Sequence, residues 1–373
     1  MKRNVLLIAC LLFPFAVHAE DPATMDMYRR YQPQLSNPPQ QPVYQQPTYQ
    51  QPVTPYQQQY TAPQVDAGAA GFSQWMVNFK QRAAGQGLNG QFLDRTLSGL
   101  EFIPRVIELD QKQPESKITF AQYKKNIVAD KRIREGQAKY AEHRALLNRV
   151  SQVYGVPPQY IVALWGIETN YGKITGGFDI LSSLATLAYE GRRAAFFEKE
   201  LVNALKILAG GHAGTDKLIG SWAGAMGQCQ FMPSSYMRYA VDGDGDGNIN
   251  IWSSMPDVFA SMANYLKTEG WNRDLRWGRR VVAPTSLPAS EYGRDNKKDL
   301  SYWVNKGVRQ SDGRALQIPS ETAGIQASLV APDGPGNETY LVYSNYNVIM
   351  HWNRSTYFAT SVGLLADAIA SAD

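Results

Sequence analysis

The 373-residue sequence is poor in the residues that usually announce chemistry, with two cysteines and four histidines. His18, His143, His212 and His351 are scattered without metal-ligand spacing, and there is no CxxC, GxSxG or GxxxxGK. Thiol-redox, zinc, serine-hydrolase and phosphate-loop chemistry therefore have no sequence signature here. Charged residues make up 19% of the chain, and the net charge of +4 falls to about +2 once Lys2 and Arg3 leave with a signal peptide. That is too little for a nucleic-acid partner. Nor does any apolar run reach the roughly 20 residues of a membrane-spanning helix.

The N-terminus has the anatomy of a cleaved secretory signal, residues 1–19. A basic start is followed by an apolar stretch from Val5 to Val17, with small residues Val17 and Ala19 before Glu20. Leu7-Ile8-Ala9-Cys10 resembles a lipobox, but the apolar stretch ahead of Cys10 is very short, so a soluble periplasmic form is favoured over a lipoprotein. Cleavage leaves Cys229 as the only thiol, so no internal disulfide is expected. Residues 20–70 form a Gln/Pro/Tyr-rich linker in which QQPVY, QQPTY and QQPVT repeat between Gln40 and Thr54. Proline and the scarcity of aliphatic residues predict disorder, serving as a spacer or as a docking site for a partner.

From Phe72 onward the spacing predicts helices, with Trp75, Met76 and Phe79 continuing the first. Further helices are expected from Phe120 to Val153, after Val156-Pro157-Pro158 up to Gly172, from Ala185 to Ala209, from Pro256 to Lys267 and from Ser355 to Ser371. Arg280 to Val342 instead predicts a small β-rich insertion.

Three stretches carry polar groups in unusual settings. Glu168 interrupts LWGIETNYG and continues the apolar stripe of Ile161 and Leu164. Burial and the nearby helix C-terminus both disfavour its charge, as a general acid requires; a structural glutamate satisfied by a hydrogen bond or an arginine is the other reading. GSWAGAMGQCQFMPSSY combines small residues with Ser221, Gln228, Gln230, Phe231 and Tyr236, suited either to sugar binding or to tight helix packing. DGDGDGNINIW places Asp242, Asp244, Asp246 and Asn248 as in the first half of an EF-hand loop, but position twelve is Ser253. Asp257 either closes a longer calcium loop or caps the helix that follows; an acidic turn without metal is the alternative.

Together IVALWGIETNYG, LATLAYEGRRAAFFEKEL, the Gly220–Tyr236 run, VDGDGDGNINIW, PDVFASMANYL and the upstream VIELDQKQPESKITF resemble the membrane-bound lytic murein transglycosylase B family of bacteria. The resemblance implies a mainly α, lysozyme-like core over 142–277 and 341–373, a helical region over 71–141 and a β-rich region over 278–340. It implies non-hydrolytic cleavage of the β-1,4 bond of peptidoglycan glycan strands to 1,6-anhydromuramoyl products. No cofactor is required, a structural calcium at the acidic loop stays an open alternative, and a monomer is expected whose linker could reach other cell-wall proteins. Glu168 would act as acid and then base. Ser221 would orient Glu168 or the substrate acetamido group, Gln230, Phe231, Tyr123 and Tyr265 would line the sugar site, and Arg192 and Arg193 would face the peptide stem.

In NYNVIMHWNRSTYF the chain departs from the family pattern: Trp352, beside Asn353, and Phe358 stand where tyrosines are expected. Both keep a stacking face and lose a hydroxyl donor. A hydrolytic muramidase using Asp179 as second carboxylate, and a non-catalytic peptidoglycan-binding scaffold, are the rival readings.

Overall fold

The computed structural model describes residues 68–111, 118–317 and 324–371. The signal sequence, Cys10 and the Gln/Pro/Tyr tract lie outside the described residues. Helices α1 (Ala69–Ala84), α2 (Gly90–Leu97) and α3 (Pro104–Gln111) come first. The helical spacing in α1 brings Trp75 onto Phe79 at 5.3 Å and Phe72 edge-on to Tyr189 at 5.5 Å. The charged run that follows is three helices, α4 (Phe120–Ile127), α5 (Asp130–Glu142) and α6 (Arg144–Tyr154). A reciprocal Thr119/Gln122 capping box starts α4, and Gly155, with φ of 73°, ends α6.

Helix α7 (Pro158–Thr169) begins with proline in its first turn and carries Glu168 in its last. Every residue from Tyr160 to Thr169 is buried, so the single apolar stripe read from the sequence is one side of a helix enclosed all round. It ends at Asn170 rather than Gly172, because Asn170 and Tyr171 both take left-handed backbone conformations. The reversal folds the Tyr171 ring back over Gly166, where an added Cβ would lie 2.6 Å from it.

Strands β1 (Phe178–Asp179) and β2 (Ile219–Gly220) pair antiparallel around α8 (Ile180–Glu190) and α9 (Ala194–Ala209). The stretch expected to run on from Ala185 to Ala209 is broken by Gly191 at φ of 100°, a conformation that ends a helix. Helices α10 (Pro233–Tyr239) and α11 (Met255–Thr268) complete this part of the chain.

The chain then makes an excursion through β3 (Gly278–Val282), β4 (Lys298–Asp299), α12 (Leu300–Asn305), β5 (Arg309–Gln310), β6 (Gln326–Val330) and β7 (Thr339–Val342). The five strands form an antiparallel sheet in the order β4-β6-β7-β3-β5 with its own core around Trp303, Leu300, Val281 and Leu329. Its first and last strands are neighbours, with Gly278 opposite Val342. Tyr343 N donates to Trp277 O at 3.0 Å, and fully buried Asn345 bridges Asn272 and Leu275. The excursion thus returns the chain to its point of departure.

Helices α13 (Ser344–Trp352) and α14 (Thr356–Ala370) can therefore pack back onto α7 and α11 as if the insertion were absent. Gly363 of α14 accommodates the Trp277 ring, leaving no room for a Cβ. No helix among the described residues is long and apolar enough to cross a membrane.

Candidate functional site

Four carboxylates are buried among the described residues: Asp110, Glu168, Glu200 and Asp257. A buried charge needs partners, and the partners separate the four. Asp110 on α3 is gripped by both Arg192 and Arg193. Glu200 on α9 accepts from Ser234 N at 2.9 Å and Ser234 Oγ at 2.6 Å, capping α10. Asp257 accepts the amides of Gly243 and Asn250, both at 2.7 Å. Glu168 instead accepts from Trp352 Nε1 at 2.8 Å on Oε1, and that indole is packed among aromatic rings.

Those rings come from four separate segments. Trp352 of α13 packs at 4.6 Å from Tyr265 of α11 and 5.3 Å from Phe231, which precedes α10; Tyr239 of α10 lies 4.2 Å from Tyr265. Burial pushes the hydroxyl pKa values of Tyr265 and Tyr239 upward, so both remain neutral donors. The wall combines ring faces with polar edges around one acid, the mixture that binds a sugar ring.

The glycine-rich run is a framework for this wall. Gln228 Oε1 accepts from Trp165 Nε1 at 2.8 Å, while its Nε2 donates to Trp252 O at 3.0 Å, joining α7 to the acidic loop. Thr169 Oγ1 accepts from Gly172 N at 3.0 Å, securing the turn directly after Glu168. Gln230, itself at φ of 49°, donates to Thr175 O and Gly227 O. Among the described residues the non-glycine positions with left-handed backbone are Asn170 and Tyr171, directly after Glu168 and Thr169 on the chain, and Gln230, directly before Phe231 of the wall.

Other expected residues fall differently. Ser221, 8% exposed, accepts from Ala225 N at 2.9 Å, closing its own turn. Trp352 has no hydroxyl, as expected, but its indole N–H donates to Glu168. Phe358 is a core side chain, 2% exposed, on the first turn of α14. Asn353 Oδ1 accepts from Ser355 N at 3.0 Å. Tyr123 packs 5.7 Å from Tyr357 on a helix whose first amides, Phe120 N and Ala121 N, are held by Asp333 of the β-region. Arg192 and Arg193 clamp Asp110, with Arg192 about half exposed and Arg193 mostly covered. Asp179 caps α8 by accepting from Ser182 N at 2.7 Å.

The acidic loop brings carboxylate oxygens of Asp242, Asp244 and Asp257 within 4.8 Å of one another. Asp257 is drawn to the loop by the Gly243 and Asn250 amides, and the cap of α11 is Ser254, whose side chain accepts from Asp257 N. Burial raises the carboxyl pKa of Asp257, with the neighbouring Asp244 and Asp242 charges adding to it. Asp246 is exposed and turns to Asn248 N at 2.7 Å. The donor set is all oxygen and crowded with like charge, which suits a hard divalent cation such as calcium.

Sequence reasoning missed the framework role of Gln228 and the network around Glu269 and His351 described below. Neither has a local signature, since each acts on partners distant in the chain.

Residues 71–367 match the family described as Transglycosylase SLT domain. The chain is 34% identical to membrane-bound lytic murein transglycosylase B of Escherichia coli (strain K12) over 299 residues, 77% of this chain and 80% of that protein. Its fold is similar to the crystal structure of SltB3 from Pseudomonas aeruginosa in complex with NAG-anhNAM-pentapeptide, at 41% identity and a TM-score of 0.76, covering 80% of this chain and 79% of that one. It is also similar to the Escherichia coli lytic transglycosylase Slt35 in complex with calcium, at 33% identity and a TM-score of 0.68, covering 80% and 93%. With a family match across most of the chain and the acid set in its aromatic wall, the chain belongs to the SLT transglycosylases and is a peptidoglycan lytic transglycosylase.

Proposed function

We propose that this enzyme, in the periplasm, cleaves the β-1,4 bond between N-acetylmuramic acid and N-acetylglucosamine without water, with Glu168 as its single acid and base. The Glu168 carboxyl gives its proton to the bridging oxygen as the bond from muramic C1 breaks, and the substrate's acetamido oxygen supports the cationic C1. The C6 hydroxyl oxygen then bonds to C1 while its proton returns to the Glu168 carboxylate. The product end is a 1,6-anhydromuramoyl ring, and the acid is regenerated.

The observation that carries this reading is the setting of Glu168: a buried carboxyl that accepts on Oε1 from the indole of Trp352, itself packed against Tyr265 and Phe231. An indole N–H only donates, so it fixes Oε1 as an acceptor and holds the carboxyl in one orientation beside the wall. The wall stacks against the sugars, Gln230 shapes the floor beside it, and the Ser221 hydroxyl, whose proton is not used by Ala225, donates to the acetamido carbonyl. Tyr123 and Asn353 extend the groove, Phe358 packs beneath it, and Arg192 presents its exposed edge to stem peptides. The anhydro product is supported by the SltB3 relative, which binds NAG-anhNAM-pentapeptide. The hydrolytic alternative is disfavoured because Asp179 is committed to capping α8.

Calcium fits the Asp242/Asp244/Asp257 cluster, where it would supply structural charge neutralisation. Mass spectrometry of muropeptides released from purified sacculi tests the main reading. Anhydromuramoyl products are expected from the mature protein and none from Glu168→Gln, whereas reducing-end products would establish the hydrolase.

A further inference from the structure

Trp352 reaches Glu168 from the last residue of α13, a helix end that fixes the indole only if it is itself held. The neighbouring residue supplies the hold. His351 Nδ1 lies 2.8 Å from Glu269 Oε2, and Glu269 also accepts the Tyr239 hydroxyl and faces Arg238 at 3.5 Å. Glu269 is mostly covered, with 15% of its side chain exposed, and sits at the C-cap of α11. The helix dipole and burial both oppose a negative charge there, so the carboxylate persists because three donors converge on it. One residue thereby ties the ends of α10, α11 and α13, which carry Tyr239, Tyr265 and Trp352 of the wall.

We infer that Glu269 is a positioning residue for catalysis, holding α13 through His351 so that the Trp352 indole stays on the Glu168 carboxyl. The inference rests on Glu168 being the acid. Glu269 bonds to His351, Tyr239 and Arg238 and reaches Glu168 through Trp352. If the indole alone transmits the effect, removing Glu269 matters only while the indole donor is present.

The test is a double-mutant cycle on soluble glycan strands, with kcat and KM measured for Glu269→Leu, which removes the acceptor, for Trp352→Phe and for the double variant. Glu269→Leu is expected to lower kcat about tenfold with KM changed less than about twofold, as loss of alignment at Glu168 predicts. In the Trp352→Phe background, which keeps a ring and lacks the donor, the same change is expected to have no further effect on kcat. Fold-losses that multiply in the double variant would overturn the inference, as would a Glu269→Leu enzyme with the kcat of the parent.

Should Glu269→Leu fail to fold, His351→Ala removes the donor of the same link from its exposed side and is expected to show the same dependence on Trp352. Glu168→Gln, assayed in parallel, separates the two levels. Activity in that variant overturns the acid assignment, whereas an inactive Glu168→Gln with multiplicative cycle losses overturns only the role of Glu269.

Discussion

Trp352 and Glu168 stand 184 positions apart in the chain, yet the indole N–H meets the carboxylate at 2.8 Å. The five-stranded excursion between α11 and α13 makes this meeting possible, because it leaves and re-enters the helical core at adjacent strands. The acid is therefore held by a part of the chain whose position depends on closure of the whole insertion.

Glu168→Gln is expected to be inactive and well folded. The amide carbonyl can still accept the Trp352 N–H, so packing is retained while the transferable proton is lost. Anhydromuropeptide release should fall by about 10²–10⁴-fold, with the urea midpoint close to that of the parent. A variant that unfolds would show that the carboxyl is structural.

Arg193→Ala should cost more stability than Arg192→Ala. Both arginines pair with Asp110, but the Arg193 side chain is 16% exposed and that of Arg192 48%, so solvent replaces the second more readily. Urea denaturation is expected to show a loss of about 1.5–3 kcal/mol for Arg193→Ala and less for its neighbour. If Arg192 also meets stem peptides, its replacement should raise KM for peptide-bearing strands and leave KM for bare glycan unchanged.

Gly363→Ala should be strongly destabilising, by about 1–3 kcal/mol, because the new methyl overlaps the buried Trp277 ring. Gly177→Ala, at a position with nothing within 4 Å, is the control and should leave the denaturation midpoint within about 0.5 kcal/mol of the parent.

Glu269 gives the fold an acid-sensitive component. The hydrogen bond from His351 holds its carboxyl pKa below the ordinary glutamate value, with Tyr239 and Arg238 acting in the same direction. A carboxyl whose folded pKa lies below the unfolded one stabilises fully above the ordinary glutamate range. The contribution is lost as pH falls through the folded value. Urea midpoints measured from neutral pH down to pH ~3 should fall less steeply for Glu269→Gln than for the parent.

Calcium should raise the melting temperature of the mature protein, and Asp244→Ala should abolish the rise. At a hundredfold excess over its dissociation constant the ion would add about 2.7 kcal/mol. Asp244 is exposed, so its replacement without calcium should leave melting almost unchanged. A parent protein indifferent to calcium would reduce the loop to an acidic turn.

Several elements were legible in the sequence because their causes lie within a few residues. Pro158 in the first turn of α7, the Thr119/Gln122 box and the aromatic spacing of α1 each mark a helix locally. The oxygen-rich Asp242 loop and the placement of Glu168 in an apolar helix are equally local, and the ordered motifs around them were enough to point to the family. The split of α8 from α9 was missed because Gly191 carries no flanking signal stronger than its own left-handed backbone.

What the sequence could not determine is which distant group meets which. A tryptophan in place of a tyrosine reads as a donor lost, and only the closed insertion shows its N–H on Glu168. Asp257 was equally compatible with capping α11 or closing the acidic loop, and the fold brings it to Asp242 and Asp244. Buried polar groups must find partners, but which partners they find depends on loop closure and packing across the whole chain. Local pattern therefore determined the helices and the acid, and tertiary structure decided what holds the acid in place.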